Sequence, residues 1–376
     1  MTMRVANQKM RILCISGGYL PDVGGMQYSN DQTLSALYQQ GVDVTLIIPE
    51  GKGSIEFDRT RPFRIIRYGK PGYIGTIRRM LRLSEEYKKR RYHRVMIMGH
   101  DSEIAYGLLR SRLNMVPVIL AAGTRLPFEN VWYKKMIRNK LLRRAYEGAG
   151  LIVAISDATI HFIREYCHQE PIRFVKVPRP IDEQVWDHHE TAKPHKDFVV
   201  VTTSRLEKAK NIQGCLHVVK AVRDRIPDIR YVVVGDGECR DELEELAESL
   251  GVKDIVMFVG NKSPEDIAEL YNKSDIFLML SERGDAESFG RVYIEAAAMG
   301  IPSIGFRTSG VVETIINNET GYLVEPGDLD RVCEVLLDLY QNPAKLINLS
   351  KRAYSNYKAK FTKEIVGRML KDALSA

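Results

Sequence analysis

Long apolar runs are absent from this chain of 376 residues. No stretch approaches the roughly 18 consecutive apolar residues that read as a membrane-spanning helix. The N-terminus, MTMRVANQKM, leads straight into a predicted strand and lacks the apolar core and cleavage site of a secretory signal. We therefore expect a cytoplasmic protein, whose contact with a membrane would be made at the inner face.

Cysteine is scarce as well, and its placement excludes two further classes. The five cysteines are scattered and odd in number, and no two form a Cys-x-x-Cys pair. This pattern argues against a disulfide framework and against a zinc site. His188, His189 and His195 cluster in a polar linker that offers no second shell to orient metal ligands, so we expect no metal site there.

Two common enzyme signatures are also missing. No serine stands in a nucleophile elbow, so hydrolase chemistry finds no support. The loop after the first predicted strand carries Gly24 and Gly25, but not the Gly-x-Gly-x-x-Gly spacing of a dinucleotide site. Such a pair suits a phosphate or sugar hydroxyls, although it more often marks a tight turn. Because Glu50 ends the second strand, an NAD-dependent oxidoreductase stays an alternative.

Strand and helix patterns alternate along the chain. Apolar runs predict strands at residues 10–16, 42–49, 94–98, 116–121 and 151–155. The pattern is lost in a polar, proline-containing linker at 177–197. It restarts with strands at 198–204, 231–234, 255–259, 276–280, 303–306 and 321–324. This alternation predicts an α/β fold with two Rossmann-like, doubly wound domains, 1–182 and 183–354, facing each other across a cleft.

The net charge of +7 is unevenly placed, with two basic tracts in the first half. The tracts are Arg78, Arg79, Arg82, Lys88, Lys89, Arg90 and Arg91, and then Lys134, Lys135, Arg138, Lys140, Arg143 and Arg144. Apolar residues interleave with both, as in basic amphipathic helices that lie on anionic lipid. A solvated helix face is the alternative for either tract. No recognisable nucleic-acid-binding module accompanies them, so we expect no nucleic-acid partner.

The most informative stretch is SDIFLMLSERGDAESFGRVYIEAAAMGIP, residues 274–302. It predicts a buried strand, a charged loop and a helix at 289–299. Ser288, Phe289 and Gly290 stand at the expected helix start, where free N–H groups favour an anion. Glu287 ends the loop, and Glu295 lies among apolar helix residues, where an unpaired carboxylate is costly. Ligand hydroxyls or a cation would stabilise it; a solvated or ion-paired glutamate is the alternative.

Arg205 and Lys210 follow the first strand of the second domain, at the same predicted sheet edge as Glu287. Two cations beside a helix start would bind a diphosphate and stabilise charge that develops on a leaving phosphate. Taken singly, each is equally well read as a surface cation.

These residues resemble the retaining GT-B glycosyltransferases of family GT4, also called glycosyl transferases group 1, over nearly the full length. The resemblance is carried by Glu287-SFGRVYI-Glu295, by SRLEKAKN at 204–211, by VVVGDGE at 232–238, by FVGN at 258–261, by SGVVET at 309–314 and by TGYLVEPGD at 320–328. In this family a C-terminal helix, here 355–376, crosses back to the first domain.

The resemblance implies a donor site for a UDP- or GDP-sugar as co-substrate, without a metal or other cofactor. Arg205 and Lys210 would bind the diphosphate, Glu287 the donor sugar and Glu295 the ribose. Other expected contacts are those of Ser288, Phe289 and Gly290 with sugar or phosphate, of Asp236, Gly237 and Gly260 with the base, and of Gly24 and Gly25 with the diphosphate. The acceptor would be a glycan or a lipid-linked molecule, and the reaction would belong to cell-surface polysaccharide or glycolipid synthesis.

The chain departs from the family's usual pattern in the linker, where residues 179–182 read Arg-Pro-Ile-Asp, at Ser288, where glycine is usual, and at residues 122 and 123. Residues 122 and 123 read Ala-Gly where the family usually has His-Gly, so its sugar-contacting histidine is missing. A non-catalytic subunit that binds nucleotide sugars is therefore a second alternative. For catalysis, no residue is placed as a covalent nucleophile, which favours front-side attack with retention of configuration.

Overall fold

The chain forms two compact α/β units in a computed structural model. The structure describes residues 9–21, 25–51, 54–121, 123, 131–167, 172–186, 197–282 and 287–376. Unit 1 comprises residues 1–180 together with 363–376, and unit 2 comprises residues 181–362.

In its described residues before 181, unit 1 has seven strands that alternate with six helices. They are β1 (Arg11–Ser16), α1 (Gly25–Gln39), β2 (Asp43–Ile48), α2 (Ser54–Arg59), β3 (Arg64–Arg67), α3 (Tyr73–Lys89), β4 (Arg94–Met98), α4 (His100–Leu109), β5 (Val118–Ala121), α5 (Trp132–Tyr146), β6 (Leu151–Ala154), α6 (Asp157–Tyr166) and β7 (Phe174–Lys176). A 3₁₀ turn, Arg110–Arg112, follows α4.

Unit 2 repeats the alternation, with six strands among the residues that the structure describes. Its elements are α7 (Glu183–Trp186), β8 (Phe198–Thr203), α8 (Ile212–Val222), β9 (Ile229–Val234), α9 (Arg240–Ser249), β10 (Val256–Gly260), α10 (Pro264–Tyr271), β11 (Ile276–Met279), α11 (Arg291–Ala298), β12 (Ser303–Phe306), β13 (Gly321–Val324), α12 (Leu329–Gln341) and α13 (Pro343–Lys360). Two 3₁₀ turns, Lys208–Lys210 and Ser309–Glu313, lie in its loops. The last helix, α14 (Lys363–Ser375), belongs to unit 1.

Both sheets are parallel, and in each the strand order reverses near the middle of the sheet. The orders are β3-β2-β1-β4-β5-β6-β7 and β10-β9-β8-β11-β12-β13. In β1, Ile12 and Cys14 pack into one apolar cluster while Leu13 and Ile15 pack into another, so helices cover both faces of the sheet. Such an open sheet binds ligands beyond the carboxyl ends of its strands, at the point where the strand order reverses.

The unit boundaries differ from the expected 182/183 and 354/355. They fall at Pro180/Ile181 and at Thr362/Lys363. The predicted C-terminal helix is two helices: α13 packs on α11 and α12 in unit 2, and α14 packs on α1 in unit 1. The break lies at Phe361 and Thr362, where Thr362 pairs with Ile181 in an isolated bridge.

Several local predictions also need correction. The helix expected at 289–299 is α11, which begins only at Arg291. Strands β3 and β7 were not predicted. In the first basic tract, Arg79 is fully buried and donates to the Lys70 carbonyl and the Thr76 hydroxyl, so it is not part of an exposed basic face.

Candidate functional site

The loop after β8 holds Lys210 in a defined position. A 3₁₀ turn, Lys208–Lys210, ends at Asn211, which has a left-handed backbone with φ 51°. The Asn211 side chain then accepts a hydrogen bond of 3.0 Å from the Gly214 N–H and caps α8. Because asparagine tolerates this conformation, the chain turns sharply into α8 and leaves Lys210 at the carboxyl edge of the sheet.

Lys210 and Glu287 form an ion pair at this edge. Their side chains are only 13% and 12% exposed, and the Lys210 ammonium contacts Glu287 Oε1. The two residues come together because β8 and β11, the strands that precede them, are neighbours in the sheet. The predicted association of Lys210 with Glu287 is therefore present in the structure.

Arg205 has different surroundings. Its side chain is 73% exposed, and its Nη1 lies 2.5 Å from Glu207 Oε1. The structure thus brings only one of the two predicted cations into contact with Glu287. An arginine whose guanidinium is largely in solvent keeps its donors available for an anionic ligand at low desolvation cost.

The turn at 287–290 is fixed by the loop after β12. The Gly310 N–H donates to the Glu287 carbonyl over 3.1 Å. A Cβ on Gly310 would lie 2.4 Å from the Ser288 carbonyl oxygen, so only glycine permits this approach. Phe289 is 5% exposed and packs edge-on against Phe361, which makes its ring part of the core.

Gly290 is the N-cap of α11 and has a left-handed backbone, with φ 73° and ψ 51°. The sequence predicts Ser288 and Phe289 at the start of the helix. The structure instead places both residues in the turn before it. The first amides of α11 belong to Arg291 and the residues after it, and they carry the partial positive charge of the helix N-terminus.

Glu295 is buried and pairs with Arg291. Arg291 Nε lies 2.8 Å from Glu295 Oε1, one turn along α11. Burial raises the pKa of Glu295, and the nearby Arg291 charge opposes this shift only in part. Sequence reasoning missed Arg291, although the i, i+4 spacing from Glu295 was the signal available.

The residues predicted to border the base lie on interlocked loops. The Leu206 N–H donates to the Asp236 carbonyl and the Cys239 N–H donates to the Leu206 carbonyl, each over 3.0 Å. A Cβ on Gly237 would lie 2.6 Å from the Leu206 carbonyl oxygen. Gly260 has φ 70°, and its carbonyl accepts from the Gly235 N–H. The loops after β8, β9 and β10 therefore form one edge.

Three hydroxyls at this edge were not predicted. Ser204, Ser281 and Thr308 follow β8, β11 and β12, and within the described residues their buried hydroxyl oxygens have no hydrogen-bond partner. Buried polar atoms of this kind normally find a partner, so ligand or water contacts are expected here.

The structure describes only part of the donor contacts predicted in unit 1. Gly24 lies outside the described residues, as do residue 122 and the linker histidines. Gly25 begins α1, and a Cβ there would meet no atom within 4 Å.

The part of the chain that the structure describes contains no group of three or more potential metal-ligating side chains. Within the same ranges, no helix has both the length and the apolar content to cross a bilayer.

Two family models match adjacent parts of the chain. The model described as Glycosyltransferase Family 4 matches residues 23–185, and Glycosyl transferases group 1 matches residues 186–356. The chain belongs to glycosyltransferase family 4. This assignment leaves the nicotinamide oxidoreductase alternative without support.

Curated relatives of this family 4 glycosyltransferase include sugar-transfer enzymes. It is 30% identical to N-acetyl-alpha-D-glucosaminyl L-malate synthase of Bacillus anthracis over 60% of this chain and 59% of that protein. It is 25% identical to a GDP-mannose-dependent alpha-(1-6)-phosphatidylinositol monomannoside mannosyltransferase of Mycobacterium tuberculosis, over 88% of this chain and 89% of that protein.

Solved structures share the GT-B fold with this family 4 glycosyltransferase. HepE of Anabaena, in complex with UDP, superposes with a TM-score of 0.78 at 16% identity, covering 98% of this chain and 99% of that one. Sucrose-phosphate synthase of Thermosynechococcus elongatus gives a TM-score of 0.77 at 20% identity, covering 97% and 98%. At these identities the likeness concerns the fold.

Proposed function

We propose that this family 4 glycosyltransferase moves a hexosyl group from a UDP- or GDP-sugar to a glycan or lipid-linked acceptor, with retention of configuration. The observation that carries the proposal is the Lys210–Glu287 pair at the reversal point of the second sheet. Ligands of open α/β sheets bind at this point. The mycobacterial relative is named GDP-mannose-dependent, and HepE was solved with UDP, which supports a nucleotide sugar as donor.

The proposed chemistry relies on positioning and charge rather than on a cofactor or metal. Lys210 and the exposed Arg205 would stabilise the negative charge that develops when the sugar C1–phosphate oxygen bond breaks. The acceptor oxygen forms its bond to C1 on the same face, and its proton passes to the departing phosphate oxygen. No side chain is covalently modified in this scheme.

The acidic residues have separate roles in the proposal. Glu287, held by Lys210 and by the turn that Gly310 fixes, would contact the donor sugar. Glu295 would accept hydrogen bonds from ribose hydroxyls, and Arg291 stabilises its carboxylate. Asp236, Gly237 and Gly260 would border the base, and the amides that open α11 would face the diphosphate.

Turnover of Lys210 variants tests the proposal. Lys210→Ala and Arg205→Ala should each lower release of UDP or GDP from the sugar donor by on the order of a hundredfold, as for loss of one preorganised donor. Lys208→Ala is the matched control, because it removes an exposed lysine from the same turn. Near-wild-type rates for Lys210→Ala would refute the proposed site.

The same assay separates an enzyme from a non-catalytic subunit. Donor turnover is measured with and without an extract that supplies acceptors. A subunit without activity would bind UDP or GDP yet release no nucleotide in either condition, whereas the proposed enzyme turns over faster when acceptor is present.

We also propose that the enzyme meets its acceptor at an anionic membrane surface through α5. This helix has six lysines and arginines and no acidic residue. Its first two turns expose Trp132 by 73%, Met136 by 58% and Ile137 by 53%. Apolar side chains among lysines suit a membrane surface, where the apolar side chains enter the lipid and the ammonium groups contact the anionic headgroups. The α3 tract fits less well, since it contains Glu85 and Glu86.

Vesicle flotation tests this contact. Trp132→Ser combined with Met136→Ser should strongly weaken co-flotation with phosphatidylglycerol-containing vesicles, because it removes both the aromatic anchor and an apolar contact and leaves only the salt-sensitive attraction of the six basic residues. Ile55→Ser combined with Val116→Ser is the control, as both residues are 71% exposed apolar positions elsewhere in unit 1. If wild-type protein does not float with such vesicles, or the control pair loses binding equally, α5 is not the membrane contact.

A further inference from the structure

A second polar group lies in unit 1, at the carboxyl end of β4. Gly99 turns the chain there with φ 85°, and His100 is the first residue of α4. The strand order of unit 1 reverses between β1 and β4, so this end is also where an open sheet accepts a ligand.

His100 is held in one orientation by a buried carboxylate. Its Nδ1 lies 2.9 Å from Glu103 Oε2, and the Glu103 side chain is only 1% exposed. The Tyr146 hydroxyl, from α5, donates to the same oxygen over 3.0 Å. With Nδ1–H donated to the carboxylate, Nε2 is the nitrogen left for a ligand, and the His100 side chain is 15% exposed.

Asp101 stands next to His100 and also retains binding capacity. Within the described ranges its carboxylate has no hydrogen-bond or ion-pair partner. It lies against the loop that follows β1: a Cβ placed on Gly17 would be 3.3 Å from Asp101 Oδ2. Gly17 therefore leaves room for this carboxylate beside the loop.

The charges around His100 indicate what kind of ligand fits. Asp101 and Glu103 face it from α4 and Arg138 faces it from α5. Burial disfavours the charged imidazole, but the two carboxylates outweigh burial and Arg138, so the pKa of His100 is raised. Two carboxylates beside the imidazole repel an anion, whereas a neutral hydroxyl can donate to Asp101 and bond to Nε2.

We propose that His100 and Asp101 form a subsite in unit 1 that binds hydroxyl groups of the acceptor sugar, with Glu103 as the positioning residue. The inference rests on the proposed function: apart from Gly24 and Gly25, the expected donor contacts belong to unit 2, so the side chains of His100 and Asp101 have no donor role and can serve the second substrate. The ligand class is a neutral polyol or glycoside rather than a phosphate.

Histidine-selective NMR tests the subsite on the full chain. The protein has eight histidines, so His100 is assigned from the signal lost in His100→Gln. Octyl β-glucoside and octyl α-mannoside, below their micelle concentrations, are the probes, with inorganic phosphate as the anion probe. We expect at least one glycoside to shift the His100 Nε2 signal saturably, and phosphate to leave it unchanged.

Two variants make the test specific. Asp101→Asn should raise the glycoside Kd about five- to tenfold, for loss of a hydrogen bond to a charged group. Asp157→Asn, at the start of α6, should leave it unchanged. Glu103→Gln should move the titration midpoint of His100 to lower pH, an effect that a purely structural role would not produce.

Parallel titration with UDP and GDP separates this inference from the proposed function. If neither glycoside shifts His100, or only phosphate does, the subsite is refuted whatever the nucleotides do. If glycosides bind as expected but neither nucleotide binds, the donor site is wrong and the polyol subsite stands. An unchanged midpoint in Glu103→Gln overturns the positioning role.

Discussion

Lys210 and Glu287 stabilise each other in a site that excludes most solvent. Taking two charges out of water is costly, and their attraction compensates only with good geometry. In the proposed site, a bound diphosphate would give Lys210 a second anionic partner without new side-chain ordering, because the Glu287 contact already holds the ammonium in place. The ion pair would therefore orient Lys210 for a phosphate that binds beside Glu287.

Glu295 allows a pH test of its burial. Its raised pKa means that the folded chain binds a proton more readily than the unfolded chain, so burial lowers stability as pH rises through the folded pKa. Glu295→Gln should therefore gain melting temperature relative to wild type at pH 8, and this gain should shrink towards pH 4. The amide oxygen can still accept from Arg291.

The same variant should bind UDP or GDP less tightly, by about tenfold, since a neutral amide is a weaker acceptor for ribose hydroxyls. Thermal unfolding across pH and calorimetric titration measure the two effects. A melting-temperature difference that does not change with pH would show that the Glu295 carboxylate is not destabilised by burial.

At the scale of single elements, the turn before α11 depends on the close approach of Gly310 to the Ser288 carbonyl group. Gly310→Ala would force the Ser288 carbonyl away, because the new Cβ would lie 2.4 Å from it. We expect the variant to lose stability, of order 1–3 kcal/mol as for overpacking, and to lose nucleotide binding. Gly25→Ala is the control for folding, since its Cβ meets open space. Denaturant unfolding that ranks the two variants equally would contradict this account.

Buried strands were predictable from sequence, and exposed ones were not. Runs such as that of β11 are fully buried on a parallel sheet and read as continuous apolar segments. The missed strand β3, RIIR, is an edge strand with arginines at both ends, and β7 has only three residues. The start of α11 was misplaced because Gly290 adopts a left-handed conformation, which is one of several that glycine can take.

The site was predictable to the extent that topology determines it. Lys210 and Glu287 are 77 residues apart, yet each follows a strand, and neighbouring parallel strands bring their ends together. Side-chain pairing was less predictable: nothing in the sequence assigns Arg205 to Glu207, and only the i, i+4 spacing indicates the pair of Arg291 with Glu295. The buried position of Arg79 likewise follows from its contacts and not from its charge pattern.

At the scale of the whole molecule, unit 1 is completed by the last helix of the chain. In α14, Val366, Leu370 and Leu374 are buried in the same cluster as strands β1 and β2. A Cβ on Gly367 would lie 2.6 Å from the Ala36 carbonyl oxygen, so α14 and α1 are closely packed. Residues at the end of the chain therefore contribute to the core of the unit at its beginning.

Leu370→Ala should destabilise unit 1 by about 2–5 kcal/mol, because it leaves a cavity under α14. Leu370 is 1% exposed, whereas Met369 beside it is 39% exposed, so Met369→Ala is the matched control and should change stability little. Calorimetric unfolding measures both.

UDP or GDP binding at 20 °C should persist in Leu370→Ala, since Lys210, Glu287 and Glu295 belong to unit 2. Equal destabilisation by the two variants would contradict the role of α14.

Calorimetric titration of UDP and GDP into wild type, Lys210→Ala and Lys208→Ala tests the donor site most directly. We expect saturable binding of at least one nucleotide to wild type and to Lys208→Ala, and a Kd at least tenfold higher for Lys210→Ala, for loss of a charge-assisted contact to phosphate. Equal affinity in all three proteins, or no binding of either nucleotide to wild type, would contradict the proposal that this edge of unit 2 holds the donor diphosphate.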